Sequence, residues 1–326
     1  MPDQWNHKIF EGQECDFNKL SLEAFQYQFR NNAVYNSYVK ALGVNPTVVN
    51  SVSQIPFLPV SFFKTHSVKT GDFVAETVFE SSGTTGSINS RHQVKDLLLY
   101  KESFTRGFEL FYGPVTDWCI IGLLPSYLER ENSSLVYMVN ELIQQSADPR
   151  SGFYLTAFEK LSAVLKEAEA GKQKTLLIGV TFALLDFAEL SHLSLQHTVV
   201  METGGMKGRR KEMIRAEVHD LLKKGFGISA VHSEYGMTEL LSQAYSKGEG
   251  IFSAPPWMKI LVRDEEDPLL VKETGAGIIN IIDLANIDSC CFIATDDAGK
   301  VHQDGSFEVL GRMDGSDLRG CSLMVL

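Results

Sequence analysis

The stretch TLLIGVTFALLDFAELSHLSLQHTVVME, residues 175–202, reads as strand, helix, strand. TLLIGV at 175–180 and HTVVME at 197–202 are short apolar runs without the polar alternation of a strand that has one wet face. Residues 182–191 between them carry the composition of a helix. A strand apolar on both faces must be covered on both, and a strand–helix–strand unit joins parallel neighbours. The same beat runs from about 94 to 247. A helix near 96–111 precedes WCIIGLLP at 118–125, and helices near 133–146 and 158–170 lead to TLLIGV. A helix at 209–224 leads to GISAVH at 227–232, which continues into SEYGMTELLSQ. The expected fold class is α/β, with mostly parallel sheets covered by helices.

After about residue 250 the texture changes. MKILVRD, GIINIIDL, SCCFIAT and SFEVLGR are short strand-like runs separated by Gly, Asp and Pro, which predicts a small C-terminal β subdomain. The expected domains are 1–250, an α/β core with an N-terminal helical segment, and 251–326, a small β subdomain ending in a cysteine-bearing tail. Near the start, Leu22, Phe25, Phe29, Tyr38, Val39 and Leu42 predict one amphipathic helix over 20–42. IPFLPVSFFKTHSVKTG at 55–71 reads as extended, because Pro56 and Pro59 forbid a regular helix.

The 326 residues are 44% hydrophobic and 22% charged, ordinary for a globular chain. Thirty basic against 41 acidic side chains give a net charge of −11, a field that repels phosphate backbones and argues against nucleic acid as a partner. Five cysteines without a CxxC pair make neither a disulfide framework nor a metal site. MPDQWNHKIFEGQECDF lacks the apolar core of a signal peptide, and TLLIGVTFALL at 175–185 is too short to span a bilayer, so a cytoplasmic protein with no integral membrane segment is expected.

FESSGTTGSIN at 79–89 packs Ser81, Ser82, Thr84, Thr85 and Ser87 around Gly83 and Gly86. Glycines that accept positive φ, successive free N–H groups and short hydroxyl side chains make a concave donor surface suited to phosphate. No Lys follows in the GxxxxGK[ST] manner, so this is not a Walker loop. A polar surface loop is the alternative. ETGGMKGRRKE at 202–212, between a predicted strand and helix, offers Lys207, Arg209 and Arg210 to an anion at helix N-terminal amides, or is a solvated helix start. TGAG at 274–277 precedes a strand and fails the dinucleotide fingerprint. Of His66, His92 and His232, His232 draws functional weight from its place before SEYGMTE.

Taken in order, these pieces resemble the adenylate-forming synthetases, which activate carboxylates with ATP as acyl-AMP and release pyrophosphate. SSGTTG, Ser81 to Gly86, resembles their phosphate loop. EYGMTE at 234–239 resembles their Tyr-Gly-x-Thr-Glu signature, which implies that Tyr235, Gly236 and Thr238 lie at the nucleotide and that Glu239 holds Mg²⁺. TGG at 203–205 matches a Gly-rich adenine-binding segment, implicating Gly204 and Gly205. ATDD at 294–297 resembles the ribose-binding Thr-Gly-Asp, with Asp297 at the aspartate and Asp296 in place of glycine. GRMD at 311–314 resembles the Gly-Arg-x-Asp that ends the large domain, making Arg312 a ribose or phosphate contact. The resemblance covers roughly 77–321.

Typical members continue into a mobile C-terminal domain with a catalytic lysine, which this chain is expected to lack. Lys207 is the candidate, by position and charge, to offset charge on the breaking α-phosphate. IPFLPVSFFKTH, LLPSYLERENSSL at 123–135 and DLRGCSLMVL at 317–326 are similar to a narrower branch, the acyl-protein synthetase of the bacterial luminescence fatty-acid reductase. Its members carry an acyl-accepting cysteine near the C-terminus, which Cys321 matches. The expected function is therefore ATP- and Mg²⁺-dependent activation of a carboxylic acid, with fatty acid as the substrate class. Transfer to Cys321 as a thioester follows, then passage to an acyl-accepting reductase or transferase. An acyl- or aryl-CoA ligase with a soluble thiol acceptor, and a non-catalytic nucleotide- or acyl-binding module, are the alternatives.

Overall fold

The strands Cys119–Leu123 and Thr175–Gly179 are buried at every position, as continuous apolar runs require when helices cover both faces of a sheet. They lie parallel, with Ile121 opposite Leu177, and Thr198–Thr203 pairs parallel on the other side of Thr175–Gly179, with Leu177 opposite Val200. The computed structural model describes residues 2–10, 16–81, 88–124, 132–155, 157–204 and 213–313. Within these, the chain forms two units. One comprises Lys101–Thr238 with Gln243–Phe252; the other comprises Met1–Tyr100, Glu239–Ser242 and the chain from Ser253 onward.

In the first of these units the sheet order is Gly152–Phe153, Cys119–Leu123, Thr175–Gly179, Thr198–Thr203, His232–Tyr235, Ala244–Ser246. The first five are parallel and the last is antiparallel, so the expected parallel sheet is present. Its helices include Ser134–Gln145, Phe158–Ala170, Thr181–Ser191 and Arg215–Phe226. Ser133 caps the first of them by accepting from the Val136 N–H. Thr181–Ser191 is buried nearly all round, as its apolar sequence implies. It meets Arg215–Phe226 closely, because Gly225 brings that helix so near Ala188 that an added Cβ would sit 2.7 Å from the Ala188 Cβ.

The other unit is built on antiparallel strands in the order Val271–Lys272, Met258–Arg263, Gly275–Asp283, Phe292–Val301, Phe307–Arg312. Leu58–Pro59 adds to Phe292–Val301 in parallel, with Leu58 opposite Ile293. The proline-rich segment is thus only partly extended, since Phe62–Thr65 turns as a short helix after it. A two-stranded hairpin, Thr77–Glu80 with Arg91–Val94, leads into and out of the hydroxyl-rich stretch. The helix expected over 20–42 is two, Phe17–Asn31 and Ala33–Ala41. Asn32 breaks it: its side chain accepts from Tyr35 N and donates to Ser289 O at 2.9 Å, so the residue serves as a cap. Phe25, Tyr35 and Phe57 gather around Phe292, all buried, and Trp5 donates to Leu284 O at 2.8 Å.

Candidate active site

Glu239, expected to hold a metal, is buried at 5% exposure. Burial raises its carboxyl above the ordinary range, opposed by a hydrogen bond from Ser90, by its own backbone N–H and by the charges of Arg312 and Lys64. A buried carboxylate that resists ionising favours a cation nearby. Among the described residues no group of three or more His, Cys, Asp or Glu could hold a metal ion. A lone carboxylate nevertheless fits Mg²⁺, which takes one or two carboxylates and fills its octahedron with nucleotide phosphate oxygens and water.

The backbone around Glu239 is held by groups that the sequence reading did not name. Asp283 is fully buried and accepts from Leu241 N at 2.8 Å, Ser242 N at 3.0 Å, Ser242 Oγ at 2.6 Å and Ala285 N at 3.2 Å. Burial still pushes its carboxyl up to about 6. Trp257 Nε1 donates to Ser242 Oγ at 3.1 Å, and Asn286 Nδ2 donates to the Glu239 carbonyl at 2.7 Å. The legible signal lay in GIINIIDLANIDS: Asp and Asn inside an apolar run must find hydrogen-bond partners when buried.

Ser81 closes the hairpin below the hydroxyl-rich stretch. Its N–H donates to Ser90 O at 3.0 Å, and its Oγ accepts from Ser90 N at 2.9 Å. Ser82, Gly83, Thr84, Thr85 and Gly86 lie outside the described residues, as do Gly205, Lys207 and Cys321.

Asp297 and Arg312 face each other across the Phe292–Val301 and Phe307–Arg312 pair, with Arg312 Nε 3.9 Å from Asp297 Oδ1. The Asp297 side chain is 18% exposed and that of Arg312 66%. Behind them Arg263 donates to Asn280 Oδ1 at 2.7 Å, Ile279 O at 3.1 Å and Thr295 O at 2.7 Å, which fixes the bulged strands that carry Asp297. Burial lowers the Arg263 pKa, although Asp296 opposes the shift.

In the unit with the parallel sheet, the remaining candidates sit at the C-terminal ends of strands, where open α/β sheets place ligands. Gly204, at φ +67°, follows Thr198–Thr203, and among the described residues no atom lies within 4 Å of where its Cβ would be. Its carbonyl accepts from Thr181 Oγ1 at 2.9 Å. One position back, Thr203 donates to Glu234, which parallel pairing sets opposite it. Burial raises the Glu234 carboxyl to about 7, with the Thr203 bond opposing and Glu202 reinforcing the shift. Glu202 is also buried, but His219, Ser233 and Arg215 outweigh that and hold its carboxyl low. Arg215 Nε and His219 Nε2 each lie 3.8 Å from Glu202 Oε1.

Gly236 follows Tyr235 where an added Cβ would press on Glu234 Oε1, so a larger residue there would have to displace that carboxyl. Tyr235 packs edge-on to Phe252 at 6.0 Å, and Thr238 lies in the turn before Glu239. His232 is turned toward Tyr112, whose hydroxyl is 3.1 Å from Nδ1, and burial with Lys247 lowers its pKa to about 4. It is a neutral packed imidazole. His92 is likewise buried, with Nε2 3.0 Å from Asn286 Oδ1.

A long-chain-fatty-acid–luciferin-component ligase from Vibrio harveyi is 24% identical over 353 residues, covering 99% of this chain and 89% of its own length. One of the same name from Aliivibrio fischeri is 24% identical over 351 residues, covering 99% and 90%. Among solved structures, ATP-bound MatB from Rhodopseudomonas palustris matches with a TM-score of 0.54 at 19% identity, over 72% of this chain and 47% of MatB. The luciferase-like enzyme of the nonluminescent mealworm Zophobas morio matches at 0.52 and 15%, over 75% of this chain and 59% of its own. The chain thus spans about half the length of these solved structures, with which it shares the fold. The family model described as "Acyl-protein synthetase, LuxE" matches residues 5–326, and the chain belongs to that acyl-protein synthetase family.

Proposed function

We propose that this chain activates a long-chain fatty acid with ATP and transfers the acyl group to its own Cys321. The observation that carries the reading is the full-length family match, together with a buried Glu239 whose carboxyl burial has made hard to ionise. In the first step a carboxylate oxygen of the acid attacks the α-phosphorus of ATP. The bond to the β-phosphate oxygen breaks, pyrophosphate leaves and acyl-AMP remains. In the second step the Cys321 thiolate attacks the acyl carbonyl, the bond to the phosphate oxygen breaks, AMP leaves and a thioester forms.

In this reading the SSGTTG stretch supplies phosphate donors through Ser82, Thr84 and Thr85, on a hairpin closed by Ser81. Gly204 and Gly205 border the adenine with Tyr235 and Gly236, and Thr238 meets phosphate. Asp297 accepts from the ribose hydroxyls, and Arg312 beside it contacts ribose or phosphate. Glu239 holds Mg²⁺, which offsets phosphate charge when bound. Lys207 adds positive charge at the α-phosphate. Fatty-acid ligase relatives over 99% of the chain support the acid class. A cytoplasmic location and an acyl-accepting reductase or transferase as the next partner complete the reading. Among the described residues no helix is long and apolar enough to cross a membrane. Cys119, Cys290 and Cys291 are buried free thiols whose pKa values burial raises, which makes them poor nucleophiles and leaves the acceptor role to another cysteine.

The deciding experiment is intact-protein mass after incubation with ATP, Mg²⁺ and fatty acids of graded length, beside Cys321→Ala. The expected result is a hydroxylamine-labile acyl adduct on the wild type alone. An adduct on both proteins would remove Cys321 from the reaction. Pyrophosphate release without any adduct would favour a soluble thiol acceptor.

A further inference from the structure

The hairpin that carries the hydroxyl-rich stretch grips Glu239 at two places. From one side the Ser90 hydroxyl bonds its carboxylate, while the Ser90 backbone is paired to Ser81 at the mouth of the hairpin. From the other side Asn286 Nδ2 donates to the Glu239 carbonyl, and Asn286 Oδ1 meets Nε2 of His92, the cross-strand neighbour of Phe79. The amide orientation follows from chemistry. A flipped Asn286 would set its oxygen against the Glu239 carbonyl oxygen, so Nδ2 must face that carbonyl and Oδ1 must face His92. His92 Nε2 therefore carries a hydrogen and donates it. Asn286 is fully buried, and its own backbone is fixed by Gln28, which donates to the carbonyls of Asn286 and Ile287 at 3.2 and 2.9 Å.

We infer that His92 and Asn286 are positioning residues: a relay that holds the Glu239 backbone in register with the hairpin strands and so fixes where the metal-binding carboxylate stands. The inference rests on the reading of Glu239 as the Mg²⁺ ligand. Its physical basis is that a residue orienting a ligand from behind sets the ligand's affinity without touching the metal.

The test measures binding rather than turnover. ATP affinity is determined by calorimetry on the full chain, in chelator and in Mg²⁺, for wild type, Asn286→Ala, His92→Phe, His92→Gln and Glu239→Gln, with thermal melting as the check on folding. Wild type is expected to bind ATP more tightly with Mg²⁺. Asn286→Ala should lose that Mg²⁺-dependent gain by roughly tenfold or more, the effect typical of groups behind a metal ligand, while affinity in chelator changes little. His92→Phe fills the imidazole's place beside Phe63 but cannot donate, and should lose part of the gain. His92→Gln restores a donor and should recover it. A wild-type gain in both Asn286→Ala and His92→Phe, with Glu239→Gln losing it, would overturn the relay alone. Retention of the gain by Glu239→Gln would instead overturn the metal assignment beneath it. Should Asn286→Ala fail to fold, the His92 pair decides: equal gains for Phe and Gln refute the relay.

Discussion

Replacing Glu234 by Gln tests whether the strand ends beneath the Thr203–Gly204 turn carry the electrostatic load their burial implies. The carboxyl is buried, accepts from Thr203 and lies near the ionised Glu202; its pKa is raised from 4.5 to about 7. At about 1.4 kcal/mol per pH unit, ionising it in the fold costs about 3 kcal/mol more than in the unfolded chain. The sign follows from proton binding. Below 4.5 both states are protonated; between 4.5 and about 7 the folded state keeps a proton that the unfolded state has lost, so stability falls as pH rises. Above about 7 both are ionised and the full cost is present. Gln mimics the protonated acid, keeps an acceptor for Thr203 and does not titrate. Urea unfolding at intervals from about pH 5 to 8 should therefore show Glu234→Gln gaining on wild type by about 3 kcal/mol across the range. Parallel stability profiles for the two proteins would refute the reasoning, because they would mean that Glu234 ionises as easily in the fold as out of it.

Asp297→Ala removes an acceptor for ribose hydroxyls, and should raise the KM for ATP in pyrophosphate release about tenfold, by the roughly 1.5 kcal/mol of a charge-assisted hydrogen bond. An unchanged KM would separate Asp297 from the nucleotide. Gly225→Ala opposes two effects: helix propensity alone favours alanine by about 1 kcal/mol, whereas overpacking costs about 1–3 kcal/mol. With the new Cβ 2.7 Å from the Ala188 Cβ and 3.0 Å from its carbonyl oxygen, packing should win and the variant should melt lower. A higher melting temperature would show that the two helices can part without loss.

The parts of the fold legible in the sequence were those whose burial depends on local pattern. TLLIG and CIIGL are apolar at every position, and every position is buried. The strand-like runs after residue 250 form the antiparallel sheet for the same reason. What escaped was pairing over long separations. Asn32 interrupts an otherwise unbroken stripe because its partner is Ser289, 257 residues away, and no helical periodicity carries that information. Gln28, Asp283 and Asn286 are polar residues whose reason for burial appears only when distant backbones are brought to them. The candidate site divides in the same way. SSGTTG and EYGMTE could be read as motifs, but Ser90, His92 and Asn286, which fix how Glu239 is held, belong to no motif. Each is a single polar residue in an ordinary setting, given its role by the fold.

The interleaving of the two units has a consequence for how the protein is made. Residues 101–238 are contiguous, and their parallel sheet pairs strands near one another in sequence, with only the short strand Gly152–Phe153 intervening between the paired Cys119–Leu123 and Thr175–Gly179, so this part can fold as it leaves the ribosome. The first hundred residues cannot. Trp5 awaits Leu284, Gln28 awaits Asn286 and Ile287, Leu58 awaits Ile293, and the aromatic faces of Phe25, Tyr35 and Phe57 await Phe292. Until residue 293 has emerged, the nascent chain carries an apolar N-terminal segment with nothing to cover it. That segment is where a holding chaperone would bind during synthesis, and where a stalled or truncated chain would begin to aggregate.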